Sequence, residues 1–308
     1  MKVLQLSTSL VGGAGIAATR AHDALISEGV DSALLSLQES NSGSEARGRI
    51  VKIHRSRLEV LESKALTTFQ RVIIQKGPHL QTPLSIGIDT KRFSIEDYDV
   101  VHIHSTYNLA NTKTLGKILG FGKPTYITLH DQRLTSGGCH GSMDCRNYRS
   151  GCFECPQVRF PFKSLVSKGF KETQELLRLA PNSPTLIVPS MWLANVVSEV
   201  FPESRFEVVR NCIPDDFFDI RKTERAFYKN TKKHIGFMSL DLNNPYKGLD
   251  TLLKSISLLD DKSRELFKLV LVGEGEVRST PPGLEVVTTG KIFGSKLQET
   301  MRNLDLLV

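Results

Sequence analysis

Two stretches of this chain follow one plan: a short apolar strand, a loop of small residues, then a helix. The first runs through Lys2–Leu6 (KVLQL), Val11–Gly15 (VGGAG) and Ala17–Ser27. The second runs through His234–Met238 (HIGFM), a loop closing on Tyr246, Lys247 and Gly248, and the helix Leu249–Leu259. A helix N-terminus behind a glycine turn presents free backbone N–H groups and the positive end of its dipole, so each copy predicts an anion seat. Two seats in separate domains predict a phosphate-bearing ligand held in the cleft between them.

Short apolar strands alternate with helical stretches through most of the sequence, which predicts α/β layers on parallel sheets. Strands are expected at Lys2–Leu6, Asp31–Leu37, Val100–His104, Thr125–Leu129, Thr185–Val188, Phe206–Val209, His234–Met238, Lys268–Val272, Leu284–Thr288 and Leu304–Val308. Further helices are expected at Thr112–Leu119, Trp192–Val200 and Ser295–Arg302. Pro214 and two acids break the pattern in Asn211–Phe217 (NCIPDDF), and Arg221–Lys233 reads as a polar connector. The domains are therefore expected at 1–217 and 218–308. A chain stopping on an apolar fourth strand, with no helix to cover it, reads as a fragment.

In 308 residues, 40% hydrophobic and 24% charged, the composition is that of an ordinary globular chain. No run approaches the roughly 20 apolar residues that span a bilayer, and no signal-like leader opens the sequence. A soluble cytoplasmic enzyme is the expectation. The net charge of +7 is concentrated. Arg47, Arg49, Lys52, Arg55, Arg57, Lys64, Arg71 and Lys76 face only Glu45, Glu59 and Glu62, and Arg159–Lys171 forms a second basic stretch. These read as a solvated helix face or, because Leu58, Val60, Leu61, Phe69, Phe160, Phe162 and Phe170 interleave with the cations, as a surface for anionic lipid. Nucleic acid is not expected, since no motif that reads it accompanies the charge.

Gly13–Ala18 (GAGIAA) satisfies the G-x-G-x-x-A dinucleotide fingerprint, but Ser7 to Val11 lengthen the loop before it and open room for another molecule. Beyond the strand Thr125–Leu129 stand His130 and Asp131, at the end where open α/β sheets place ligands. The histidine would donate to a sugar hydroxyl or a forming charge and the aspartate would orient it. His102 and His104 occupy the corresponding place on the preceding strand. Cys139, Cys145, Cys152 and Cys155 fall within 17 residues, beside His140. Structural zinc on four thiolates, two disulfides, and free thiols are all open readings. In the second domain Lys247 and Gly248 open a helix, where an ammonium group would neutralise a departing diphosphate. Gly273, Glu274 and Gly275 follow the next strand, where glycines would admit a ligand base or ribose.

Taken in order, these pieces resemble family 4 glycosyltransferases of the GT-B fold, especially bacterial capsule and exopolysaccharide transferases with a cysteine-rich insertion. The carrying residues are Gly12–Gly15 (GGAG), Leu129–Asp131 (LHD), Thr135–Pro156, Val188–Trp192 (VPSMW), Asn211–Phe217, Pro245–Gly248 (PYKG) and Val272–Gly275 (VGEG). The resemblance implies two Rossmann-like domains facing a cleft, the second one truncated, and an insertion at 135–156. It implies a retaining, hexosyltransferase-type enzyme that moves a sugar from a nucleotide-sugar donor to a lipid-linked or saccharide acceptor without a catalytic metal. Such an enzyme would work at the inner membrane surface. By the same resemblance His130 and Asp131 serve the transferring sugar, Lys247 binds the diphosphate, and Gly12, Gly13, Gly15, Asn211, Gly248, Gly273 and Glu274 bind donor or acceptor. Two departures stand out: no arginine precedes Lys247 within Ser239–Tyr246, and the E-x7-E motif would begin only beyond Val308. Two other classes compete: a non-catalytic, zinc-stabilised binding module and a dinucleotide-dependent oxidoreductase.

Overall fold

A computed structural model of the chain describes residues 1–38, 49–74, 80, 85–180, 182–214, 217, 232–277 and 279–308. Arg47, Lys76 and Glu45 of the first basic stretch lie outside these residues, as do Asp215, Asp216 and most of the expected connector 221–233. The chain divides into two compact units, Met1–Cys212 and Ile213–Val308.

The first unit is a seven-stranded parallel sheet. In chain order its strands are β1 (Lys2–Ser7), β2 (Asp31–Ser36), β3 (Arg49–Lys52), β4 (Val100–Ile103), β5 (Thr125–Thr128), β6 (Thr185–Val188) and β7 (Phe206–Val208), arranged β3-β2-β1-β4-β5-β6-β7. Its helices are α1 (Gly12–Ser27), α2 (Arg57–Ile73), α3 (Thr112–Gly120), α4 (Lys163–Leu179) and α5 (Met191–Val200). Strands covered on both faces read as near-continuous apolar runs. Val3, Leu4, Leu6, Val101, Ile103, Ile127, Leu186 and Val188 fill that core. The order reverses between β1 and β4, the switch point beyond which such sheets bind ligands.

The second unit repeats the plan on a smaller scale. Its strands β8 (Lys233–Asp241), β9 (Phe267–Glu274), β10 (Glu285–Thr288) and β11 (Leu306–Leu307) pair in parallel in the order β10-β9-β8-β11, with helices α6 (Leu249–Ser257), α7 (Asp261–Glu265) and α8 (Gly294–Arg302). Ile235, Phe237, Leu253, Ile256, Leu269 and Leu271 close its core. Gly273 has no alternative here: a Cβ would lie 1.7 Å from the Ser239 carbonyl oxygen, where β8 bulges toward β9.

Three expectations change. The helix after β1 starts at Gly12 and not at Ala17, so the glycines expected in a loop form its first turn. Gly15 is pressed onto the incoming chain, where a Cβ would stand 2.5 Å from the Leu10 carbonyl carbon. The basic stretch after residue 48 is strand β3 and helix α2, whose start carries a capping box: the Ser56 side chain accepts from the Glu59 N–H and Glu59 accepts from the Ser56 N–H. Finally, the second basic stretch is mostly α4, and Phe170, read as lipid-facing, is buried in the core.

Candidate active site

In the first unit the loops after β1, β4 and β5 lie side by side at the carboxyl edge of the sheet, because those strands are neighbours. The Thr8 hydroxyl donates to the Tyr107 carbonyl at 2.7 Å, tying the first loop to the second. α1 then begins at Gly12 with no side-chain cap and no acidic residue in its first turn. Added Cβ atoms at Gly12 and Gly13 would meet nothing within 4 Å, so this helix start is open as an anion seat requires.

His130 leaves the end of β5 and lies over His104, their rings stacked with centroids 5.7 Å apart; Nε2 of His130 is 3.4 Å from Nδ1 of His104. His104 is buried, and its Nε2 lies 2.8 Å from Oε1 of Gln5 in the middle of β1. His102 stacks beside it at 4.0 Å, with Nε2 2.8 Å from the Thr128 hydroxyl. Burial holds these rings neutral. It lowers His102 and His130 to about 4, His102 with help from the nearby His130, and His130 with Asp131 opposing and Arg133 reinforcing the shift. His104 falls well below the ordinary histidine value, again chiefly through burial, with His102, His130 and His22 adding to it.

Asp131 has partners other than His130. Its carboxylate accepts from the Arg133 N–H at 2.9 Å, from Arg133 Nε at 2.9 and 3.1 Å, and pairs with His140 Nδ1 at 3.0 Å. Burial raises its pKa, but the His140 and Arg133 interactions outweigh that and leave it below the usual carboxylate range. Asp131 thus ties the end of β5 to the cysteine segment, and its hydrogen bonds do not orient the His130 ring. Beside Arg133 opens a small pocket of about 80 Å³ lined by Ser85, Thr106, Asn111, Ser136 and Thr173 among others.

All five cysteines are free. Cys139, Cys152 and Cys155 are buried, and Cys145 is partly so. Burial pushes the Cys139 thiol up to about 12 and Cys152 to about 11, with the neighbouring cysteines adding to both. The Gly137 N–H donates to Cys152 Sγ at 3.1 Å and Gln157 Nε2 to Cys139 Sγ at 3.3 Å. Among the described residues no group of three or more His, Cys, Asp or Glu side chains is arranged to hold a metal ion.

In the second unit α6 follows a single 3-10 turn, Pro245–Lys247, and starts at Leu249 behind Gly248 with no side-chain cap. Lys247 is exposed, with no carboxylate partner among the described residues. Glu274 is ion-paired to Lys291 at 2.6 Å, and the close approach at Gly273 is made by the chain's own β8. Asn211 is exposed at the end of the first unit. Sequence reasoning passed over Gln5, Ser32 and Arg133, and noted His140 only beside the cysteines. The one available signal was a glutamine inside an otherwise apolar strand, a residue that is buried only with partners.

No protein-family signature and no curated protein matches this sequence. Solved structures do match it, along its whole length. WaaG, a glycosyltransferase involved in lipopolysaccharide biosynthesis, has a TM-score of 0.53 at 12% identity over 100% of this chain and 74% of its own. An alpha-glucosyltransferase in complex with UDP and a 13-mer DNA containing a HMU base has 0.52 at 12%, over 100% and 71%. An E. coli structure described as trehalose-6-phosphate bound with UDP-2-fluoro glucose has 0.52 at 11%, over 100% and 77%. The chain has the GT-B fold. Two of these three structures are of glycosyltransferases, and two hold UDP or a UDP-sugar.

Proposed function

We propose that this chain works as a retaining, metal-independent glycosyltransferase of the family 4 type. It takes a sugar from a nucleotide-sugar donor and passes it to a saccharide or lipid-linked acceptor in surface-polysaccharide assembly. The observation that carries the reading is the GT-B likeness over the full chain, combined with an unpaired cation at the start of α6. Lys247 and the N–H groups of α6 neutralise the diphosphate as the glycosidic bond breaks, which lowers the barrier only if that charge grows in the transition state. In the first unit the α1 start offers a second anion seat, His130 meets the sugar, and the pocket beside Arg133 receives acceptor hydroxyls.

The test uses UDP and GDP as probes in calorimetric titration of the full chain. Losing one charge-assisted contact worth about 1.5–3 kcal/mol weakens binding by roughly 10- to 100-fold. Lys247→Ala is therefore expected to raise the nucleotide Kd by at least about tenfold. Unchanged affinity would overturn the diphosphate role, and binding of NAD(P) in place of either nucleotide would favour the oxidoreductase.

The exposed face of α2 and the turn before α4 support a place at an anionic membrane. Leu58, Leu61, Val72 and Phe160 are exposed there beside the exposed Arg57, Lys64 and Arg71. No described helix is long and apolar enough to cross a membrane. Structural zinc is a separate proposal. The four thiols are soft donors gathered in one neighbourhood, with N–H groups aimed at two of the sulfurs as behind metal thiolates, but they do not stand in a ligating arrangement. Metal analysis of protein purified without chelator is expected to find about one zinc per chain, lost in Cys152→Ser; metal-free protein would refute it.

A further inference from the structure

A line of polar groups crosses the sheet beneath His130. Ser32, Gln5 and His104 stand on or at the end of β2, β1 and β4, and His130 stands just past β5. These four strands are consecutive in the sheet, and each group bonds to the next. Gln5 Nε2 donates to the Ser32 hydroxyl at 2.9 Å, Gln5 Oε1 lies 2.8 Å from His104 Nε2, and His104 Nδ1 lies 3.4 Å from His130 Nε2. Gln5 is wholly buried and His104 nearly so.

Such a line has a direction. One end of a glutamine amide only donates and the other only accepts. Gln5 Nε2 donates to the Ser32 hydroxyl, which has His22 Nδ1 2.9 Å beyond it to receive its own proton, and His22 Nδ1 is also 3.4 Å from Gln5 Nε2. With the amide held that way round, Oε1 receives a proton from His104, so the N–H of His104 is on Nε2. A neutral imidazole has one N–H, which leaves Nδ1 of His104 bare and able only to accept. The N–H of His130 must then be on Nε2, pointing at His104. Among the described residues Nδ1 of His130 has no hydrogen-bond partner, and the residue is only partly buried.

We propose that Gln5 and His104 are positioning residues that lock His130 in its Nε2–H form, so that Nδ1 meets the ligand as a hydrogen-bond acceptor. The direction of the bond is then the reverse of the donation read from the sequence. His130 receives the proton of a sugar hydroxyl, and a phosphate or carboxylate oxygen in that place would be repelled by the bare nitrogen. The involvement of a sugar rests on the transferase reading, whereas the tautomer does not.

The test is a two-bond 1H–15N correlation spectrum of the full chain, labelled at histidine nitrogens and free of ligand at pH 7. His104 and His130 are each expected to show a protonated Nε2 and a bare Nδ1. A proton on Nδ1 of His130 would overturn the proposal. In Gln5→Leu, and in the milder Ser32→Ala that removes the anchor of the amide, the His130 nitrogens are expected to shift toward a mixture of both forms. Identical His130 signals in a folded variant would remove the positioning role. Where a nucleotide-sugar donor supports turnover, Gln5→Leu is expected to lower kcat/KM about fivefold, the worth of one hydrogen bond. Absence of turnover with the expected tautomers in place would count against the transferase reading and leave the relay standing.

Discussion

Lowering the pH should destabilise the first unit well before its carboxylates titrate. His102 and His130 titrate near 4 in the folded chain, mainly because burial disfavours their charged forms, against about 6.5 when unfolded. A group with a lowered folded pKa takes up its proton first in the unfolded chain. The stability associated with the neutral ring is therefore complete above about pH 6.5 and falls as the pH drops toward 4. Each ring contributes a slope of about 1.4 kcal/mol per pH unit in that window, so going from 6.5 to 5 costs about 2 kcal/mol per ring and about 4 for the pair. His104 adds to this in the same direction. Against a typical stability of 5–15 kcal/mol the loss is large. The single tryptophan, Trp192 on α5, reports this unit alone, so urea unfolding can be followed by its fluorescence at pH 7, 6 and 5. With a urea slope of about 2–3 kcal/mol per M the midpoint should fall by about 1.5 M or more. His130→Asn should reduce the pH slope by about 1.4 kcal/mol per unit. A midpoint that stays level from pH 7 to 5 would refute the buried neutral cluster. Asp131 does not confuse the reading, because its lowered pKa moves its own loss of stability below the ordinary carboxylate range.

Backbone approach and capping give two further outcomes. Gly273→Ala must push β9 away from the Ser239 carbonyl and Gly15→Ala must push α1 off Leu10, so each should cost about 1–3 kcal/mol or more, read as a lower melting temperature. Full wild-type stability in either would contradict the packing. Ser56→Ala removes the side-chain half of the capping box of α2 and should cost about 1 kcal/mol, with Glu59 keeping the backbone N–H of residue 56 and losing only the Ser56 side-chain hydrogen bond that helps hold its pKa down; an unchanged urea midpoint would show that α2 does not need its cap.

Strands were legible where both faces are buried, since runs such as KVLQL and KLVLV have one physical reading in a parallel sheet. The edge strand β3 was not. Arg49–Lys52 is four residues with a charge at each end and no buried side chain, so its pairing with β2 carries no pattern of its own. α2 was read as a solvated helix face without bounds although Ser56 and Glu59 stand at capping-box spacing, and the bounds of α4 were obscured by Gly169, a residue usually unfavourable inside a helix. The positions of His130, just past β5, and Lys247, in the turn before α6, were legible because each follows a strand or opens a helix. Gln5 and Ser32 were not, because their partners are neighbours across the sheet and lie far away in sequence; His140 was noted beside the cysteines, but its pairing with Asp131 across the loop has no sequence signature.

The two units share a strand order, third-second-first-fourth counted within each, and each starts an uncapped helix soon after its first strand. One geometry thus produces two corners, and side chains differentiate them. At the corner of the first unit, burial keeps three imidazoles neutral and the Asp131 carboxylate is taken up by Arg133 and His140, so the imidazoles offer a ligand uncharged hydrogen-bonding atoms. At the corner of the second, Lys247 is exposed and adds a full positive charge to the helix dipole. Neutral side chains discriminate among hydroxyl patterns and leave any anion at the first corner to the α1 N–H groups alone; at the second corner a full charge joins them. Under the proposed function, the first corner recognises the sugar and the second stabilises phosphate charge. Moving charge between them, with His130→Lys or Lys247→His, should damage transfer by different routes: the first through sugar discrimination, the second through nucleotide affinity.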